Sequence, residues 1–145
     1  MKKIALVYLA LLITVIGCQK EPLEGTWIGI TGLTRMALTF DGENYEFSQN
    51  GVPFERGTFS ATDGTVTLTV EEMHGNIWVA IGGFENKWYT KDEMVLHFRD
   101  SFSLPDEEAL ERTNEMFSVT HHAYSIKRDV LTITFSWGVR TYKRQ

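Results

Sequence analysis

From Thr26 onward, apolar and polar residues alternate along most of this chain. Met36, Leu38 and Phe40 are interleaved with Ala37 and Thr39. After the break Asp41-Gly42-Glu43-Asn44, Tyr45 and Phe47 resume the rhythm against Glu46 and Ser48. Successive strand side chains point to opposite faces, so each run predicts a strand with one apolar face. Aspartate and glycine accept the backbone of a tight turn, which makes the break a hairpin. The stretch "GTFSATDGTVTLTV" predicts a second hairpin turning at Asp63-Gly64. "AYSIKRDVLTITF" and "VLTITFSWGVRTYKR" predict two more, near Arg128-Asp129 and Trp137-Gly138. Residues 59–70 echo residues 124–135 at a constant offset of 65, as two antiparallel hairpins with alternating Thr would.

The middle of the chain is less regular. Ile77 to Ile81, "IWVAI", is continuously apolar and predicts a strand buried on both faces or one beside a ligand cavity. Met94, Leu96 and Phe98 alternate with Val95, His97 and Arg99, which predicts a further strand. "SLPDEEALERTNEMF" changes character. Ser103 suits an N-cap, Pro105 a first turn, and Asp106, Glu107 and Glu108 the positive end of a helix. Leu110 and Phe117, with Ala109 and Met116 beside them, predict one apolar stripe on a short helix near residues 104–117. About nine short strands and one helix describe an all-β chain: an antiparallel β-barrel of 8–10 strands, or else a sandwich. Closing the sheet into a barrel removes the edges that invite aggregation.

The start of the chain follows another pattern. Lys2 and Lys3 precede the uncharged run Ile4–Ile16, too short for the ~20 residues of a comfortable membrane span. Basic start, short apolar core and small residue at Gly17 describe a signal peptide over residues 1–17. Cys18, the chain's one cysteine, stands where the mature protein would begin. Val15-Ile16-Gly17-Cys18 resembles the lipobox of bacterial lipoproteins. That resemblance implies a diacylglyceryl group on the Cys18 thiol, cleavage before it and acylation of the new amine. A thioether is also inert where a free exported thiol is not. Two or three acyl chains give a stable membrane anchor, where one would not. Gln19 in place of aspartate favours the outer membrane, on its periplasmic or surface face. Residues 18–24 then form the lipidated cysteine and a short tether, and residues 25–145 the domain.

Composition narrows the partners. The full chain carries a net charge of −5, and losing Lys2 and Lys3 with the signal takes residues 18–145 to −7. Such a body does not suit phosphate backbones, so nucleic acid is not an expected partner. It also gains nothing from anionic lipid, which leaves the anchor to hold the membrane. One cysteine cannot make an internal disulfide, so stability must come from a packed core.

Within residues 24–70 and 123–144 the chain resembles the lipocalin-like (calycin) barrels, in particular small bacterial lipoproteins that carry such a domain. Gly25-Thr26-Trp27 stands where that family opens its first strand with Gly-x-Trp. Arg140 in "GVRTYKR" is the candidate for the last-strand arginine that packs across the tryptophan. The resemblance implies that Gly25, Trp27 and Arg140 close one end of the barrel. The family's Thr-Asp-x-x-Tyr motif is absent, and residues 71–122 are not covered.

Little in the sequence points to catalysis. His121-His122 are neighbours on a strand and face opposite ways, and His74 and His97 have no companion ligands, so no metal or other cofactor is expected. The acidic pairs read as turns and helix starts, and no nucleophile elbow or phosphate loop occurs, so an enzyme is not expected. Trp78, Phe84, Trp88, Tyr89, Met94 and Phe98 either line a lumen that takes a small hydrophobic ligand or fill the core. Two readings follow. One is a lipid-anchored envelope lipoprotein whose lipocalin-like domain binds such a ligand. The other is a solid barrel whose residues 82–122 grip an envelope protein or inhibit an enzyme. A lumen of several hundred cubic ångströms separates the two.

Overall fold

The structure, a computed structural model, describes residues 23–78 and 83–145. Cys18, the predicted signal and most of the tether lie outside those residues. Nine strands are present among the described residues: β1 (Gly25–Thr31), β2 (Thr34–Asp41), β3 (Asn44–Gln49), β4 (Val52–Thr62), β5 (Thr65–His74), β6 (Trp88–Thr90), β7 (Val119–Lys127), β8 (Val130–Phe135) and β9 (Gly138–Arg144). Their order is β4-β3-β2-β1-β9-β8-β7-β5-β6, and an added β4–β5 pairing closes the first eight into an antiparallel, lipocalin-like barrel. β6 is the extra strand, paired only to the far end of β5 at Glu72–His74.

The predicted hairpins are all present. Asp63 and Gly64 take φ values of 48° and 76° between β4 and β5, and Gly42 takes 60° between β2 and β3. Such backbone favours Gly, Asp and Asn, which is why those residues mark the turns. The sheet bends at a bulge where Gly57 pairs with Val70 but Arg56 pairs with Glu72. The extra residue, Glu71, resets the alternation, so Met73 rather than Glu72 is buried. Glu72 instead pairs with Arg56 on the outside.

One end of the barrel is packed shut. Leu23, Trp27, Phe40, Val66, Leu131 and Ile133 are buried there in a single cluster. Gly25, at φ 117°, holds a backbone angle that a side chain would strain. The Trp27 indole N–H donates to the Leu23 carbonyl at 2.7 Å. The arginine across Trp27 is Arg144, not Arg140: its guanidinium lies 4.4 Å from the ring centroid and donates to the Glu24 carbonyl at 3.0 Å. The β1–β9 register decides this, pairing Trp27 with Arg144 and Ile28 with Lys143. Arg140 lies a turn-end away, donating to Thr31 at 3.2 Å and lying 4.8 Å from the Trp137 ring.

The insert between β5 and β7 departs most from the sequence expectation. Gly75–Ile77 form a 3-10 turn, not the start of a strand, and residues 79–82 lie outside the described residues. The strand expected over 94–98 is a helix, α1 (Lys91–Phe102). Thr90 and Glu93 form a reciprocal capping box at its start, satisfying backbone donors that a helix end leaves open. Met94 is buried, and Leu96 is 46% exposed, where a strand would have put both on one face. Ser103 caps the C-terminus of α1 in a left-handed conformation instead of starting the next helix. α2 (Asp106–Met116) falls within the expected helix, with Pro105 at its N-cap. It buries Ala109 and Thr113, whereas Leu110 is exposed.

Candidate functional site

Away from Trp27 the barrel is hollow. A cavity of about 410 Å³ runs from Leu38 and Leu68 to a mouth at Ser136 and Trp137. Antiparallel alternation places the β1–β2, β3–β4 and β8–β9 turns at this mouth and the other hairpin turns at the closed end. Met36, Phe47, Phe54, Val70 and Phe135 give the wall its apolar character, and Met116 and Ser118, leaving α2, form one side. Leu33, Val52, Trp137 and Val139 are exposed at or beside the turns that rim it. Apolar walls with a few polar groups are the usual make-up of a small-molecule pocket, and the volume lies in the usual range of ~300–1,000 Å³.

The one carboxyl in the cavity wall belongs to Glu55. It accepts from the Tyr45 hydroxyl at 3.3 Å, and among the described residues no lysine or arginine is ion-paired with it. Burial pushes the Glu55 carboxyl above the ordinary range, against a smaller opposing effect of the Tyr45 hydrogen bond. Burial likewise raises the Tyr45 phenol, helped by the Glu55 and Glu71 charges. His122 shares the wall and meets Thr120 Oγ1 through Nε2 at 2.9 Å. Burial and neighbouring His121 hold its imidazole below the ordinary value, which favours the neutral ring. His121 points the other way, to Thr67 Oγ1 at 2.9 Å, as strand alternation requires.

The six residues proposed from sequence as a ligand site lie outside this lumen. Phe84, Tyr89 and Met94 are buried with Val70 and Met73 between the helices and the barrel, with Trp78 and Phe98 packed on them. Trp88 stands edge-on to His74 and under Arg56, whose guanidinium is 4.4 Å from its ring. Trp78, Phe84 and Phe98 do border a second space of about 470 Å³, together with Phe102, Leu104, Arg112, Glu115 and Met116. Met116 therefore borders both cavities. His97 packs 3.9 Å from the Phe84 ring, and burial lowers its basicity. Its Nε2 and the Trp78 indole N–H have no hydrogen-bond partner among the described residues.

Among the described residues no cluster of three or more His, Cys, Asp or Glu could hold a metal ion. The lumen lining was legible in the sequence only as core. Its one unusual member had a signal: counting back by twos from Phe59 through Gly57 puts Glu55 on the inner face of β4. No family model, no curated protein and no solved structure matches the chain.

Proposed function

We propose that this chain is a lipid-anchored lipoprotein of the bacterial cell envelope, held by Cys18, whose lipocalin-like barrel carries a small hydrophobic ligand in its lumen. The observation that carries the ligand reading is the apolar cavity of about 410 Å³ above a packed closed end. A solid barrel acting only as a binding face for another envelope protein would have no use for that space. The anchor reading rests on Lys2-Lys3, the apolar run to Ile16 and Val15-Ile16-Gly17-Cys18. The chain then acts by binding, not by catalysis.

Two measurements test this. Cells labelled with palmitate should show the label on the wild-type protein and lose it, together with membrane attachment or signal cleavage, in Cys18→Ala. Label that survives the substitution overturns the anchor. Native mass spectrometry of the full chain, released from mild detergent, should show an apolar small molecule bound one to one. A Val70→Trp variant, which fills the lumen, should lose it. Retention of the molecule by that variant would place the ligand elsewhere.

A further inference from the structure

Among the described residues the lumen wall carries one acidic side chain and no lysine or arginine to match it, and its imidazole, His122, is held toward the neutral form. Glu55 thus lies in a mostly apolar wall with the Tyr45 hydroxyl as its one hydrogen-bond partner among the described residues. An ionised carboxylate can accept about four hydrogen bonds, of which the described residues supply the one from Tyr45. We propose that the ligand is an amphiphile with an ammonium or other cationic amine head, bound with its N–H groups on Glu55 and its apolar body against Phe47, Phe54, Val70 and Phe135. This rests on the reading of the lumen as a ligand site, and names what the site selects.

The selection follows from desolvation. Burying a charge is expensive unless an opposite charge and hydrogen bonds replace its water. Glu55 and an ammonium group each supply what the other lacks. Burial holds Glu55 protonated to a higher pH than an ordinary glutamate, and an incoming cation reverses that cause by favouring the ionised form. A fatty acid meets the opposite situation, because two carboxyl groups would share one site with no cation between them. An alcohol can hydrogen-bond to Glu55 without the charge attraction. Of the facing groups, Tyr45 is an uncharged donor, burial raises the Tyr142 phenol against a smaller opposing effect of the Arg140 charge, and His122 is held toward neutrality; Arg140 itself is held at the mouth by Thr31 and the Trp137 ring. The space accommodates on the order of a dozen water-sized groups, enough for a head and a short chain.

The experiment uses the full chain in nanodiscs, with empty nanodiscs subtracted, and displacement of the neutral fluorophore N-phenyl-1-naphthylamine. Hexylamine, 1-hexanol and hexanoate share one short tail, so they differ only at the head. Hexylamine should displace the fluorophore at about tenfold lower concentration than hexanol, the size expected of one charge-assisted hydrogen bond, with hexanoate weakest. Glu55→Gln should remove the amine margin while keeping fluorophore binding. Tyr45→Phe, which leaves the carboxylate in place, should keep the margin. Fluorophore that never binds the wild type overturns the lumen as a ligand site. Fluorophore that binds, with hexanoate equal to or ahead of hexylamine, overturns only the amine assignment, and so does a margin that survives Glu55→Gln. Should Glu55→Gln not fold, the ranking on the wild type alone decides.

Discussion

Arg144, not Arg140, is the arginine whose loss should open the closed end. Arg144→Met keeps much of the stem packing but removes the guanidinium from the Trp27 ring and from the Glu24 carbonyl. A cation over an aromatic face contributes ~0.5–2 kcal/mol, more as water is excluded. A hydrogen bond from a charged donor contributes ~1.5–3 kcal/mol, toward the lower end here because the Arg144 side chain is 35% exposed. The expected loss is about 2 kcal/mol. For a domain of this size that is roughly 8 °C of melting temperature. Arg140→Met gives up a hydrogen bond at an exposed site and a contact with Trp137, itself 63% exposed, and should cost under about 0.5 kcal/mol. The sharper readout is a double-mutant cycle with Trp27→Leu by urea unfolding. Arg144 should couple to Trp27 by about 1 kcal/mol and Arg140 by nothing above the ~0.3–0.5 kcal/mol error of additivity. A coupling to Arg140 equal to or larger than that to Arg144 would refute the register from which the argument starts.

Other perturbations probe other parts of the molecule. Gly57→Ala would drive a Cβ into the Thr69 carbonyl oxygen at the bulge, so the β4–β5 seam must part; urea unfolding should show a loss of at least about 2 kcal/mol, and a loss near zero would mean that the bulge does not exist in solution. Glu55 has a raised carboxyl in the fold, so the stability it contributes is present below its ordinary value of 4.5 and is lost as pH rises through the folded value. Relative to wild type, Glu55→Gln should therefore gain stability as pH climbs past that window, and a gain that shrinks with rising pH would contradict the buried placement. His97 has the opposite sign, being less basic in the fold than its ordinary 6.5, so its contribution fades as pH falls below that value. Hydrogen-exchange protection in Lys91–Phe102, taken relative to the intrinsic amide rate at each pH, should fall between pH 7 and pH 5, and less so in His97→Gln; an equal fall in both would assign the effect elsewhere.

The hairpins were legible because turn chemistry and alternation are local. Asp63-Gly64 needed no knowledge of its partners. The α1 helix was misread because residues spaced by two are also spaced by four: Met94 and Phe98 fit one face of either element, and Leu96 alone decides between them. Thr90-Lys91-Asp92-Glu93 held the capping signal that would have settled it. For the arginine, parity was right and position was not. Residues 140 and 144 share a face of β9, and only the distant pairing of β1 with β9 fixes which one reaches Trp27. The cavity itself depends on how eight strands close and on what the wall leaves unfilled, which no local pattern encodes.

The pairing of β1 with β9 joins residues near the two extremities of the described chain, with Gln145 N–H also donating to the Thr26 carbonyl at 2.9 Å. Such a seam is non-local in the extreme, and its loop entropy must be met before any contact rewards it. During synthesis the cylinder therefore stays open until its final strand has left the ribosome. A polypeptide that cannot shut early carries its opening strand with one bare flank until the last strand arrives to cover it.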